Sequence, residues 1–266
     1  MTRSISTMEQ IRASVLEVLP EDFKGVALVI IEVPQGEEIA RHTLNSRLGV
    51  AGGISILGTG GIVRPYSHEA WAECVRRGLD VARAAGHTCA VLTTGRRSER
   101  FLQALLPFVP EICLVQAADY FAESLRDAAA KGFSHVVWAV FFGKLVKQAQ
   151  GFSNTHAREA VIDFGLLARW AGECGADAAQ AAAVAGANTA VHALSLLPPD
   201  VARRLAENLA ARAGEAAKKH AGLHGGQPMD VRYVVFDQDG GVLYADAMPQ
   251  PLFSPVFPLH PGAGSR

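Results

Sequence analysis

The sequence has almost no net charge, few cysteines and no long apolar run. Its 25 Lys and Arg side chains are balanced by 26 Asp and Glu, so no net charge drives binding to nucleic acid or to an anionic membrane. The longest apolar run, 136–142, has the length of a buried strand and not of a bilayer span. The first 19 residues lack the apolar core of a signal peptide. We therefore expect a cytoplasmic protein that binds neither nucleic acid nor membrane.

The cysteines exclude two further classes. All four stand far apart, form no C-x-x-C pair and have no histidine at metal-ligand spacing: Cys74, Cys89, Cys113 and Cys174. Neither a disulfide framework nor a protein metal site is expected. Free cysteines of this kind are usually small buried hydrophobes.

The N-terminal third predicts a helix, two strands and a second helix. Apolar residues at helical spacing predict an opening helix that ends near Pro20. The β-branched run 26–33 predicts a strand that turns at 34–36, and 50–57 predicts a second strand. A helix should follow from an N-cap at Ser67 to a stop at Gly86.

Strands then alternate with helices. Strands are predicted at 88–92, 112–116 and 136–142, and helices at 98–106, at 121–130 and from Lys144 onward. This alternation of strands and helices is typical of a three-layer α/β fold with a mostly parallel, Rossmann-like sheet.

The C-terminal third is predicted to extend the same domain. An alanine-rich helical segment, 175–221, is interrupted at Pro198 and Pro199, and Asp200 is the expected cap of its last helix. Residues 231–236 and 242–244 flank a turn of the Asp-Gly type, which predicts a β-hairpin. We expect one domain over 1–248 and an irregular tail over 249–266.

The glycine-rich stretch 52–61 is the strongest local candidate for a ligand site. A strand that leads into a glycine turn lets the backbone approach a ribose, a carboxylate or a phosphate. An ordinary tight turn explains it equally well. The third glycine of a dinucleotide fingerprint is missing, and the next strand ends in Thr93-Thr94-Gly95-Arg96 without an acidic residue. NAD is therefore the weaker interpretation.

Further candidates follow the strand ends, where ligands of such folds gather. Taken one at a time, these basic residues have ordinary explanations. Solvated helix faces explain Arg97, Arg100 and Lys147. A single histidine such as His156 usually makes a structural hydrogen bond. Several basic groups near one crevice of a neutral protein instead favour an acidic small molecule. The segments concerned are 93–97, 116–119, 143–144 and 154–158.

A series of motifs stands in one order along the chain: VPQGEEIA (33–40), TLNSRLG (43–49), GGISILGT (52–59), GIV (61–63) with Pro65, Gly95 with Arg96, Ser98, Glu99 and Arg100, GKLVK (143–147), NTH (154–156) and ANT (187–189). Together they resemble the cobalt-precorrin-5B C1-methyltransferase family over roughly residues 8 to 245. Several matches in register are far more specific than one glycine loop.

Three departures from the family pattern stand out. Gly60 replaces a usual second threonine, and Phe141-Phe142 replaces smaller residues before Gly143. The family's N-terminal domain, which opens with a Thr-Thr-Gly-Thr-Cys-type motif, is absent from this sequence. We therefore expect the chain alone to be a poor catalyst, and a homo-oligomer or a companion N-terminal polypeptide to be its partner.

The resemblance implies transfer of a methyl group from S-adenosylmethionine to C1 of the cobalt-bearing macrocycle cobalt-precorrin-5B, in anaerobic cobalamin biosynthesis. The cobalt belongs to the substrate, and no catalytic base is assigned. The cofactor-binding candidates are Gly58, Thr59, Gly60, Gly61, Thr94 and Asp119. The candidates for binding the carboxylates of the macrocycle are Arg96, Lys144, His156 and Arg158.

Two alternatives stay open at the level of sequence. One is a nicotinamide-dependent oxidoreductase, against which the missing fingerprint glycine and acidic residue count. The other is a non-catalytic domain that binds a cofactor or a partner without turnover. Titration with S-adenosylmethionine separates them most directly.

Overall fold

The computed structural model describes residues 7–50, 52–54, 68–222 and 229–255. The chain divides into two compact units, Met1–Trp71 and Ala72–Arg266. Among the described residues, no helix combines the length and the apolar character needed to cross a membrane.

The described residues 7–50 of the N-terminal unit form α1 (Thr7–Val18), α2 (Gly36–Arg41) and a 3-10 turn at Asn45–Leu48. The first helix ends just before Leu19 and Pro20, which confirms the predicted opening helix. The prediction of a strand at 26–33 is wrong, because the segment pairs with no strand of the described chain. Residues 52–54 are not a strand either, and 55–57 lie outside the described residues.

Helix α3 (His68–Ala84) stops just before the predicted Gly86, whose positive φ of 86° ends the helix at low cost. Its expected N-cap, Ser67, lies outside the described residues. A five-stranded sheet follows, formed by β1 (Cys89–Thr93), β2 (Leu114–Gln116), β3 (His135–Phe141), β4 (Asp230–Phe236) and β5 (Val242–Ala245).

The strand order is β2-β1-β3-β4-β5, and only β5 runs antiparallel. This confirms the mostly parallel sheet and the C-terminal hairpin. Helix α4 (Arg96–Leu105) connects β1 to β2, α5 (Phe121–Ala130) connects β2 to β3, and α6 (Phe142–Ala149) follows β3. The bounds of α5 are those predicted.

Four helices make up the alanine-rich connection to β4: α7 (Phe164–Glu173), α8 (Ala178–Ala185), α9 (Ala190–Ser195) and α10 (Pro199–His220). Asp177 begins α8 with a capping box. The prediction that Asp200 caps the last helix is wrong, because Pro199 already occupies its first turn and Pro198 is the N-cap. Proline favours the first turn, where its missing N–H costs nothing. Asp200 lies within that turn and pairs with Arg204 at 3.0 Å.

Alternate strand residues pack into two layers, because side chains of a strand point to opposite faces. One face carries Val91, Ala139 and Phe236 against Leu102 of α4. On the other face Trp138 lies 5.5 Å from the ring of Phe121 in α5. The sheet is thus covered on both faces, as the prediction of three layers requires.

The four cysteines are free thiols, and all but Cys74 are buried. Burial raises the pKa of the Cys89 and Cys113 thiols to about 12, so both remain protonated and behave as small hydrophobes.

Candidate functional site

The connections of the sheet create a switch point at the carboxyl end of β1. From β1 the chain passes to β2 on one side, and from β2 it crosses to β3 on the other. Ligands of open α/β sheets bind in the crevice that such a reversal opens. The segments that follow the carboxyl ends of β1, β2 and β3 begin at Thr94, at Ala117 and, directly with helix α6, at Phe142.

An ion pair joins the loop that follows β2 to the helix that follows β3. The ammonium of Lys144, in the first turn of α6, donates to Oδ1 of Asp119. The hydroxyl of Thr155 donates to the same oxygen at 2.8 Å, and its N–H donates to the Asp119 carbonyl at 2.9 Å. Among the described residues, Oδ2 has no hydrogen-bond partner, which leaves this oxygen as an acceptor for a ligand.

Lys147 completes a group that we call the carboxyl-edge cluster: Asp119, Lys144, Lys147 and Thr155. Its ammonium donates to the Thr155 carbonyl at 2.9 Å. Burial, followed by the nearby charge of Lys147, lowers the pKa of Lys144 to about 8. Burial also lowers the pKa of Lys147. A pKa of about 8 leaves Lys144 mostly charged at neutral pH, so its ammonium can pair with the Asp119 carboxylate.

The turn between β1 and α4 forms a second part of the site. Gly95 is the N-cap of α4 with φ 142° and ψ −175°, a conformation almost confined to glycine. A Cβ added there meets nothing within 4 Å, so the space above the turn is open. Ser98 fixes the turn, because its hydroxyl accepts the Thr94 N–H and lies 3.1 Å from the Thr94 hydroxyl.

Buried polar groups support this turn from below. Glu99 is almost fully buried and accepts a hydrogen bond from the Gln116 amide at 3.2 Å. Thr93 is fully buried, and its hydroxyl has no hydrogen-bond partner among the described residues. The carboxyl ends of β1 and β2 therefore carry polar side chains inside an otherwise apolar sheet.

The remaining predicted basic residues do not join the carboxyl-edge cluster. Arg96 occupies the first position of α4 and is exposed. His156 and Arg158 are also exposed, and Nδ1 of His156 accepts the Arg158 N–H at 3.3 Å. They follow Thr155 directly, so this loop presents them beside the cluster. The glycine-loop candidates Gly58, Thr59, Gly60 and Gly61 lie outside the described residues.

Sequence reasoning missed three contributors. Lys147 was expected to be solvated, but it is half-buried and donates to the Thr155 carbonyl. Arg97 is exposed as expected, and it also lies 5.2 Å from the centre of the Phe141 ring and donates to the Gln238 carbonyl. Thr155 was part of a matching motif without an assigned role. The i, i+3 spacing of Lys144 and Lys147 places both on one helix face, and that signal was available.

Two surface cavities of the described chain lie elsewhere, along α10. One of about 460 Å³ is lined by residues that include Gln150, Arg212 and His220. The other, of about 540 Å³, includes Asp230 and Tyr244. Neither contains a predicted site residue. Across the ranges that the structure describes, no group of three or more His, Cys, Asp or Glu side chains is placed to hold a metal ion.

Comparison with known proteins gives a consistent result. Two family models match, CbiD over residues 4–65 and the CbiD C-terminal domain over residues 154–247. A cobalt-precorrin-5B C(1)-methyltransferase from Nitratidesulfovibrio vulgaris is 50% identical over 232 residues, which are 87% of this chain and 59% of the relative.

Two further relatives carry the same name. The protein from Rubrobacter xylanophilus is 42% identical over 78% of this chain and 55% of its own length. The protein from Geobacillus kaustophilus is 44% identical over 68% of this chain and 49% of its own length. The chain thus spans about half the length of the curated relatives it matches. No solved structure matches it.

Proposed function

Because the chain belongs to the CbiD family, we propose that it is the cofactor-binding part of a methyltransferase that methylates C1 of cobalt-precorrin-5B. The observation that carries the proposal is the 50% identity with a relative of that name over 87% of the chain. The product would be cobalt-precorrin-6A, an intermediate of anaerobic cobalamin biosynthesis. The proposal includes a cytoplasmic location.

We propose S-adenosylmethionine as the methyl donor, bound at the switch point. Its polar groups are a ribose diol, an α-carboxylate and an adenine. Oδ2 of Asp119 suits the diol, since Oδ1 is already held by Lys144 and Thr155. The first N–H groups of α4 suit the carboxylate, because Gly95 offers no side-chain cap and leaves the space above open. Thr94 lines the same turn.

When bound, the sulfonium supplies a methyl group to a carbon nucleophile of the macrocycle. The protein's contribution to such a displacement is alignment and exclusion of water. The Lys144–Asp119 pair fixes the loop after β2 relative to the helix after β3, and Ser98 fixes the turn after β1. We propose that these contacts hold the cofactor-facing groups in place before the ligand arrives.

We propose that the substrate's carboxylates are held by Arg96, Lys144, His156 and Arg158. Among the described residues, the guanidinium groups of Arg96 and Arg158 have no ion-pair partner, so both are available to an anion. Lys144 is already paired with Asp119. It would reach the substrate only by sharing its ammonium between two carboxylates.

We propose the glycine loop of the N-terminal unit as a cofactor-binding segment on the strength of its sequence alone. Gly58→Val and Gly61→Val would place a branched side chain where the backbone is expected to approach the ligand. Either change should weaken binding of S-adenosylmethionine while the fold is retained. Unchanged affinity in both variants would remove Gly58, Thr59, Gly60 and Gly61 from the site.

The activity is tested by a methyl-transfer assay with cobalt-precorrin-5B and methyl-labelled S-adenosylmethionine. The chain is assayed alone and together with the part of the Nitratidesulfovibrio vulgaris protein that it does not match. We expect little turnover alone and label at C1 with the added part, because a large flat substrate needs a second wall to orient it. Full activity of the chain alone would refute the need for that wall. Absence of labelled product from an assembly that binds both ligands would refute the proposed reaction.

The two alternatives gain no support. The relatives described above are named as methyltransferases, and none of those names points to nicotinamide chemistry. A non-catalytic role would predict cofactor binding without turnover even when the missing part is supplied, which the same assay detects.

A further inference from the structure

Segment 26–33 of the N-terminal unit is an apolar stretch that pairs with no strand of the described chain. Seven of its eight side chains are apolar, and most are β-branched. Its backbone is neither helical nor paired in a sheet. Within the part of the chain that the structure describes, residues 24–32 neither donate nor accept a backbone–backbone hydrogen bond. Among the described residues, nothing occupies either edge of the segment, so its backbone groups are available to another strand.

The two faces of the segment are covered unequally. Side chains of an extended chain alternate between faces. Val29, Ile31 and Val33 are 39–51% exposed, whereas Val26, Leu28 and Ile30 are 69–94% exposed. An apolar row this open is expected to be covered in the working protein. The segment has the composition of an inner strand, which is apolar on both faces because a layer packs on each.

A second copy of the chain is a poor fit for this surface. Two copies of segment 26–33 could pair edge to edge. The resulting two-stranded ribbon would still expose an apolar row on each strand, and such ribbons are marginally stable in water. The occupant must bring further strands and an apolar layer.

Segment 26–33 lies inside the match to the CbiD family, over residues 4–65. The Nitratidesulfovibrio vulgaris relative carries roughly two fifths of its length beyond the matched part, since the match covers 59% of it. A polypeptide of that size is long enough for a sheet with a covering layer. We infer that segment 26–33 is a strand of a sheet completed by this remaining part of a family member, which pairs with its open edge and covers Val26, Leu28 and Ile30. The inference rests on the family membership and not on the methyl-transfer step.

The test is co-expression of the full chain with the unmatched part of the Nitratidesulfovibrio vulgaris relative, followed by purification and amide hydrogen exchange. We expect a one-to-one complex in which exchange of the amides of 26–32 slows on the order of a hundredfold compared with the chain alone. Leu28→Lys should weaken the complex about tenfold or more. The thermal midpoint of the chain alone should not change, since Leu28 is 81% exposed. Val161→Lys is the matched control, an equally open apolar side chain of the other unit at 77% exposure, and should leave the complex intact.

Four outcomes would overturn the inference. The amides of 26–32 could be protected already in the monomeric chain, which would mean that the segment pairs internally. They could become protected only as the chain dimerises, which would make a second copy the occupant. The two parts could form a complex with these amides unprotected, or fail to associate at all. None of these readouts depends on methyl transfer, so failure here is distinguishable from failure of the proposed activity.

Discussion

Lys144 donates to Oδ1 of Asp119, which connects the segments after two strands, β2 and β3, that are separated in the sheet by β1. Their side chains are 27% and 21% exposed, so the pair is largely removed from water. Removing one partner should therefore cost more than breaking an ion pair on the surface.

We predict that Asp119→Asn and Lys144→Met each lower the free energy of unfolding by about 1–3 kcal/mol, below the range of a fully buried pair. The loss of unfolding free energy in the double variant should be smaller than the sum of the two single losses, by about 1 kcal/mol or more. Urea denaturation of the four proteins measures this coupling. Strictly additive losses would show that the two side chains do not interact.

The low pKa of Lys144 predicts a dependence of stability on pH. Its pKa is about 8 in the folded chain, below the ordinary 10.5 of a lysine. Between these values the unfolded chain binds more protons, so this residue's contribution to stability rises with pH across the window. The whole rise amounts to about 3 kcal/mol at most.

Denaturation of the wild type and of Lys144→Met between pH 7 and pH 10 isolates that contribution, because the other titrating groups are common to both. The free energy of unfolding of the wild type should increase relative to that of the variant as the pH rises above about 8. Curves that run parallel over the whole window would contradict the assignment.

Gly95 is predicted to be needed for its backbone conformation. Gly95→Ala adds a methyl group that meets nothing within 4 Å, yet its φ of 142° disfavours any side chain. A loss of about 1–3 kcal/mol is expected. Gly172→Ala is the matched control, because that position is equally open but lies within α7. Alanine there should be neutral or stabilising by up to about 1 kcal/mol. Equal losses in both variants would refute the claim of strain.

The parallel sheet and its helices were predictable because their signals are local. Buried strands appear as apolar runs, and α5 matches its predicted bounds because Phe121 to Ala130 lies between a loop and Gly132. Segment 26–33 has the same local signal, but a strand exists only when another strand pairs with it. Asp200 failed as a cap because Pro198 and Pro199 determine where α10 begins.

The sequence predicted at which strand ends the candidate residues lie, but it did not predict which of them contact each other. The strand-end rule placed Thr94, Asp119 and Lys144 around one crevice. It could not show that Asp119 and Lys144 bind each other, since 25 residues separate them along the chain. Their separate assignment to cofactor and substrate overlooked this pairing. We therefore propose that Lys144 orients Asp119 and reaches the substrate only by sharing its ammonium between two carboxylates.

The exposed arginines beside the site provide a test of substrate binding. Arg96→Ala and Arg158→Ala should each weaken binding of a carboxylate-rich cobalt tetrapyrrole by about tenfold, the worth of one charge-assisted hydrogen bond. Arg169→Ala, an exposed arginine of α7, serves as the control and should bind normally. Absorbance titration of the macrocycle measures all three. Equal weakening in all three variants would indicate attraction by overall charge and no defined site.

The central claim is that this chain binds S-adenosylmethionine at the switch point of its sheet, and calorimetric titration of the purified chain tests it most directly. We predict one site for S-adenosylmethionine or its demethylated product, about tenfold weaker binding in Asp119→Asn, and no comparable binding of NAD. Tighter binding of NAD, or no binding of either S-adenosyl compound by the folded chain, would contradict the account.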